Sequence, residues 1–229
     1  MHAVPKGRPL AAWVDDAIGW SRSIYLEHEE SDWERLARLP EGQSVGDRIP
    51  RSWRRIAALP NLAPALSFRT PSYIAMFGFF NGVSFDPGVE RTVKARARYE
   101  GKNIEYLETA TEVSELADAV PDAVWDEAVT WVLDHPAAGK QVTDRLYAAW
   151  IAGDVDTVDS ITRRGLAQFT EIREAWITSR NSLWLPVIRR LITSAHKPTL
   201  ILPGAAHLGG SDGLVPQLRA SGLRLMPLA

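Results

Sequence analysis

The chain has 229 residues, 45% of them hydrophobic, with 26 Lys and Arg against 28 Asp and Glu, and no cysteine. This composition suits one globular domain with a substantial core, residues 1–229 being read as a single unit. The lack of cysteine excludes disulfides, thiolate zinc sites and cysteine nucleophiles, and a net charge of -2 leaves no basic field for nucleic acid, although Arg48–Arg55 is locally basic.

In chain order, Leu10–Ile18 after Pro9 reads as a helix with Leu10, Trp13, Val14, Ala17 and Ile18 on one face. Ser23-Ile24-Tyr25-Leu26 is a short β-prone run ending at Glu27. Ser31-Asp32-Trp33-Glu34 has the form of a capping box opening a helix to Leu39. Further helices are predicted over Arg51–Leu59, Pro71–Phe80 and from Asp86-Pro87-Gly88 through Tyr99, the last with Val93 and Ala97 inward and Arg91, Lys94, Arg96 and Arg98 outward. A second strand, Ile104–Leu107, also ends in a carboxylate, Glu108.

From Thr111 to Ala195 the pattern is almost wholly helical, with breaks near Pro121, Pro136–Gly139, Gly153-Asp154 and Asn181. The strand Thr199–Pro203 then empties into the glycine turn Gly204-Ala205-Ala206-His207-Leu208-Gly209-Gly210, and a helix covers Leu214–Ala220. The expected fold is α/β: a small, mostly parallel central sheet flanked by helices, with a large helical insertion over about residues 111–195 and an optional edge strand at Gly222–Pro227.

In a parallel sheet the carboxyl ends of the strands share one rim, so Glu27, Glu108 and His207 are candidates to converge there. His2 makes a fourth member if its segment begins at a strand end. Two imidazoles and two carboxylates form an N/O donor set suited to Zn²⁺, Mn²⁺ or Co²⁺. Taken singly, each residue also fits a plain structural role: His207 in a turn, Glu27 and Glu108 as solvated strand ends, His2 at a fraying terminus. Arg180-Asn181 fits either an anion clamp or a capping pair. The tryptophans Trp13, Trp33, Trp53, Trp125, Trp131, Trp150, Trp176 and Trp184 are read as core, and His28, His135 and His196, lacking ligand-like spacing, as surface residues. No phosphate-binding loop, Gly-x-Ser-x-Gly or His-Glu-x-x-His is present.

With those residues in place, the chain resembles the TraB/GumN family, related to the Tiki metalloproteases and more distantly to erythromycin esterase and ChaN-type proteins. Gly204-Ala205-Ala206-His207, with Leu208 through Leu214 and Leu218-x-x-x-Gly222, resembles the second of the family's two Gly-x-x-His motifs. Tyr25-Leu26-Glu27, Gly88-Val89-Glu90, Gly101-Lys102 through Leu107-Glu108-Thr109, Trp150-x-x-Gly153-Asp154 and Arg180-Asn181 follow in the family's order. At the front, Met1-His2 supplies only the end of the first motif, so the chain is expected to start inside it.

The resemblance implies a metal-dependent hydrolase of the Tiki type. His2, His207 and Glu27 would hold a divalent ion (Mn²⁺, Co²⁺ or Zn²⁺), Glu27 or Glu108 would act as base, and Arg180 would stabilise the oxyanion of a peptide or small-molecule substrate. The alternatives are a non-catalytic binding or regulatory protein on the same fold, of the pheromone-shutdown or haem-binding kind, or a small-ester or lactone hydrolase. As written the chain reads as cytoplasmic, with no apolar run near the roughly 18 residues of a membrane helix. An export or lipoprotein signal would precede Met1.

Overall fold

A computed structural model of the chain describes residues 4–5, 11–29, 37–59, 63–79, 83–84, 88–194 and 197–226. His2, His196 and the Ser31–Glu34 capping box lie outside the described residues. The strands are β1 (Val4–Pro5), β2 (Ser23–Leu26), β3 (Val83–Ser84), β4 (Asn103–Tyr106) and β5 (Thr199–Ile201). The helices before β4 are α1 (Ala12–Trp20), α2 (Val45–Arg48), α3 (Pro50–Ile56), α4 (Ala63–Leu66), α5 (Pro71–Phe79) and α6 (Val89–Tyr99). After it come α7 (Ala110–Asp118), α8 (Asp122–Asp134), α9 (Ala138–Ile151), α10 (Val155–Gly165), α11 (Thr170–Arg173), a π-helical turn at Glu174–Thr178, α12 (Ser179–Ser194) and α13 (Leu214–Ala220).

The central sheet has the order β4-β2-β5, with both pairings parallel. Parallel neighbours need crossover connections, and the helices between them supply these. One face packs Ile18, Ile24, Leu26, Val93 and Ala97 against α1 and α6; the other packs Leu107, Trp184, Ile188, Leu214 and Leu218 against α12 and α13. A third cluster, around Trp125, Val129, Phe169 and Ile172, holds the helical body between β4 and β5 together. The fold is thus α/β, a small parallel sheet flanked by helices.

Local chemistry sets the element ends. Thr109 caps α7 by accepting from the Glu112 N–H at 3.2 Å, while Glu112 accepts from the Thr109 N–H at 2.7 Å, a reciprocal capping box. Asp154 caps α10 through Thr157 N–H at 2.9 Å. Asp126, inside α8, accepts from the N–H groups of Arg51 and Ser52 at 3.0 and 2.7 Å and so caps α3 across the fold. Nothing local to α3 announces that long-range cap.

Several expectations are corrected. Lys94 is buried, not outward, because its ammonium pairs with Glu29 at 3.4 Å and lies over the Tyr106 ring. The helix does not break at Asn181: α12 runs through it, and the irregularity sits one turn earlier as the π-helical turn. Residues 222–226 add no edge strand. A two-stranded antiparallel pair, β1 with β3, was not foreseen, since strands of two residues leave no periodic signal. Trp13 is 42% exposed and packs edge-on against Trp150 rather than filling the core.

Candidate functional site at the sheet rim

The register of the sheet brings the two carboxylates together. Leu26 lies opposite Tyr106, and the ladder continues past the strand ends as Leu107 N–H and Glu108 N–H donate to the Glu27 carbonyl at 3.1 and 3.0 Å. On the other side Leu202 N–H donates to Tyr25 O at 2.8 Å, so the chain leaving β5 reaches Gly204 beside Glu27. Gly204 N–H then donates directly to the Glu27 carboxylate. The rim expected from topology is therefore present, with Glu27, Glu108 and His207 all buried on it.

Helix α12 supplies the remaining groups. Arg180, Asn181, Trp184 and Ile188 form its buried face. The Arg180 guanidinium binds both carboxylates, with Nη2 2.5 Å from Glu27 Oε2 and Nε 3.0 and 3.2 Å from the two Glu108 oxygens. Its Nη1 donates to the Trp176 carbonyl in the π-helical turn at 3.3 Å and lies 3.5 Å from His207 Nε2. Such turns insert one residue into a helix and recur at functional sites. Trp184 was read as core and is fully buried, yet its Nε1–H also donates to Glu108 at 2.9 Å and its ring lies 4.5 Å from that of His207.

Asn181 fixes the imidazole. Its Nδ2 faces two carbonyls, those of His207 at 3.3 Å and Asp212 at 3.0 Å, so its Oδ1 must be the atom 2.8 Å from His207 Nδ1. Nδ1 therefore carries the proton, and the lone pair of Nε2 is turned toward Glu27, whose Oε1 is 4.0 Å away. An outer partner that sets the tautomer in this way is a common device around metal-ligating histidines.

The turn after His207 depends on glycine, at Gly210 and Gly213 among others. Gly210 has a φ of 76°, and a Cβ there would collide with Asp159 and Arg163; a Cβ on Gly213 would collide with the backbone of Leu208 and Gly209. Asp212 pins the same turn by accepting from Arg163, Arg173 and the Thr178 hydroxyl. Partial burial opposes its charge, but Arg173 and the other donors outweigh that and hold its carboxyl below the ordinary range. A lowered folded-state pKa gives stability that is whole above the ordinary carboxylate value and is lost as pH falls through the lowered one. Asp212→Asn should therefore cost about 1 kcal/mol at neutral pH, solvent screening included, with the gap to wild type closing in acid. Urea unfolding across pH measures this, and a gap that widens in acid would refute it.

His28 was misread as a surface residue. It is half-buried and lines the same cavity as Glu27 and Arg180. Its Nδ1 lies 3.3 Å from Glu29 O, which makes Nδ1 the protonated nitrogen. Ligand-type atoms of Glu27, His28 and Glu108 all fall within 4.8 Å of one another. The signal was available in adjacency: a residue next to a strand-end ligand sits on the same rim. His135, by contrast, is exposed and stacked on Trp131.

Two buried carboxylates share the Arg180 guanidinium. Burial, and then the charge of Glu27, pushes the Glu108 carboxyl above its ordinary range against the opposing pull of Arg180 and Trp184. Burial also works against the Arg180 charge, but Glu27 and Glu108 outweigh it and raise its pKa. A set of carboxylate and imidazole donors fits a borderline divalent ion.

The fold and site define an α/β protein with a buried Glu/Glu/His/Arg cluster at the carboxyl rim of a parallel sheet. The family model described as "TraB/PrgY/gumN family" matches residues 2–227. The chain belongs to that family. No curated protein and no solved structure matches it significantly.

Proposed function

We propose that the rim cluster is the divalent-cation site of a hydrolase that cleaves an acyl bond, the Tiki-type reading. The observation that carries it is the meeting of the donor-type side chains of Glu27, His28, Glu108 and His207 with Arg180, from four separate stretches of chain. Glu27, His28 and His207 are the ligands; His2, the fourth member expected from sequence, lies outside the described residues. A divalent ion bound there supplies Lewis acidity, polarising a carbonyl and acidifying water.

The remaining steps belong to side chains. Glu108, its proton affinity raised by burial, takes the proton of the attacking water and returns it to the leaving group. Trp184 and Arg180 hold its carboxylate in place. The Arg180 Nη1 hydrogen facing His207 makes the guanidinium's longest contact, at 3.5 Å, and is the one lent to the developing oxyanion. Asn181 orients His207 and touches no substrate.

A non-catalytic binding role on the same fold is the second reading. It is favoured by the engagement of Arg180 with both carboxylates, a pairing that is complete without a cation. Calorimetric titration of the chelator-treated protein with Mn²⁺, Co²⁺ and Zn²⁺ separates the two. One equivalent should bind, and His28→Ala should weaken it at least tenfold, a modest value for one lost ligand beside the 10–100-fold typical of outer-shell changes. A folded protein that takes up none of these ions would overturn the hydrolase reading and leave the binding role.

A further inference from the structure

The cluster opens into a cavity of about 320 Å³, at the lower end of the range for small-molecule sites. Its polarity is one-sided. Glu27, His28 and Arg180, with the turn Gly204–His207, form one pole, while the remaining wall is built from side chains such as Met76, Trp125, Trp131, Leu146, Phe169 and Trp176. Apart from Leu166 and Phe169, the residues of that wall lie in helices or the π-helical turn, where the backbone N–H and C=O groups largely serve the helices themselves.

Two of the polar side chains on this wall are committed. Trp125 Nε1–H donates to Ala117 O at 3.1 Å, and the Thr162 hydroxyl donates to Val158 O at 2.9 Å. The buried Thr143 hydroxyl has no hydrogen-bond partner among the described residues. A peptide entering this space would bring one N–H and one C=O per residue, each costly to bury unpaired, and the Thr143 and Thr162 hydroxyls with the donor-only indole N–H groups of Trp131 and Trp176 are too few to pair them all. An acyl chain has no polar atom beyond its carbonyl, which would sit at the charged pole.

We propose that the cavity is an acyl-chain pocket, so that the substrate is an ester or amide of an apolar acid whose alcohol or amine part stays outside. This rests on the hydrolase reading and names its substrate class. In the reaction, the oxygen of water bonds to the acyl carbon, the acyl C–O or C–N bond breaks, and the departing oxygen or nitrogen takes a proton, giving the free acid and the alcohol or amine.

The test uses the protein as purified and the fluorescence of Trp125, Trp131 and Trp176, which line the cavity. The probes are methyl ketones with propyl, pentyl and heptyl chains, which present a carbonyl and have no bond to hydrolyse. The dissociation constant should fall about fourfold per added methylene, or roughly 100-fold and more across the series. Ala128→Phe, or Ala75→Leu should the first variant fail to fold by circular dichroism, should weaken the heptyl ketone over tenfold and leave the propyl ketone nearly unchanged.

Affinity independent of chain length in the wild type would overturn the pocket and leave the hydrolase reading standing, since no cation or turnover enters the measurement. Tighter binding of N-acetyl-trileucine amide than of the heptyl ketone would likewise overturn it in favour of an apolar peptide. Chain-length-dependent binding in a protein that takes up no cation would sink the hydrolase reading alone and leave an acyl-binding protein.

Discussion

Arg180→Ala should destabilise the protein by about 3–5 kcal/mol, the usual cost of stripping one partner from a buried ion pair. For a chain of this size that lowers the melting temperature by roughly 10 °C. The cause is what remains: Glu27 and Glu108, both buried and close together, with no guanidinium between them. Their carboxyls would be driven further above the ordinary range than Glu108 already is. A group whose folded-state pKa is raised stabilises the fold below its unfolded pKa and loses that contribution as pH rises through the folded value. The deficit should therefore be largest at alkaline pH and shrink in acid. Arg180→Lys, which keeps the charge but not the planar fork, should fall between. Thermal denaturation at several pH values reads both variants against wild type, and an alanine variant as stable as wild type would show that the guanidinium compensates nothing.

On the proposed hydrolase reading, Glu108→Gln should lower kcat by about 100- to 10,000-fold, the contribution of a positioned base, while the protein stays folded and its uptake of added Mn²⁺, Co²⁺ or Zn²⁺ matches that of the wild type. The amide keeps the side chain's shape, and its oxygen can still accept from Arg180, but its NH₂ then faces the Trp184 N–H, so some stability is lost along with the proton acceptor. The same substitution should remove the acidic limb of the pH–rate profile, which in the wild type belongs above the ordinary glutamate value because burial raises Glu108. Steady-state rates across pH, paired with metal analysis, decide this. A glutamine variant with unchanged kcat would transfer the base role elsewhere, Glu27 being the nearest alternative.

Much of this site could be read in the chain. The apolar runs Ser23–Leu26, Ile104–Leu107 and Thr199–Pro203 each stop at a residue type that carries chemistry, and the helical stretches between them require parallel pairing. Since strand ends of one parallel sheet share a rim, Glu27, Glu108 and His207 could be placed together before any coordinates. Arg180 and Asn181 were visible only as a candidate clamp. Their roles depend on which face of α12 meets the rim, and the π-helical turn that sets this phase has no clear sequence mark. His28 was missed because it was tested for partners along the chain, while its partners lie across the sheet.

Periodicity and strand-end chemistry depend on neighbours in sequence, and so the α/β class, the parallel sheet, the glycine turn and three of the rim residues were already written in the order of amino acids. Distances across the sheet are set by packing. The tautomer of His207, the sharing of one guanidinium by two carboxylates, the burial of Lys94 over Tyr106 and the one-sided polarity of the cavity each depend on groups tens of residues apart being pressed together. Burial turns that proximity into chemistry, because away from water an uncompensated charge or an unpaired hydrogen bond is costly enough to dictate what the site will accept.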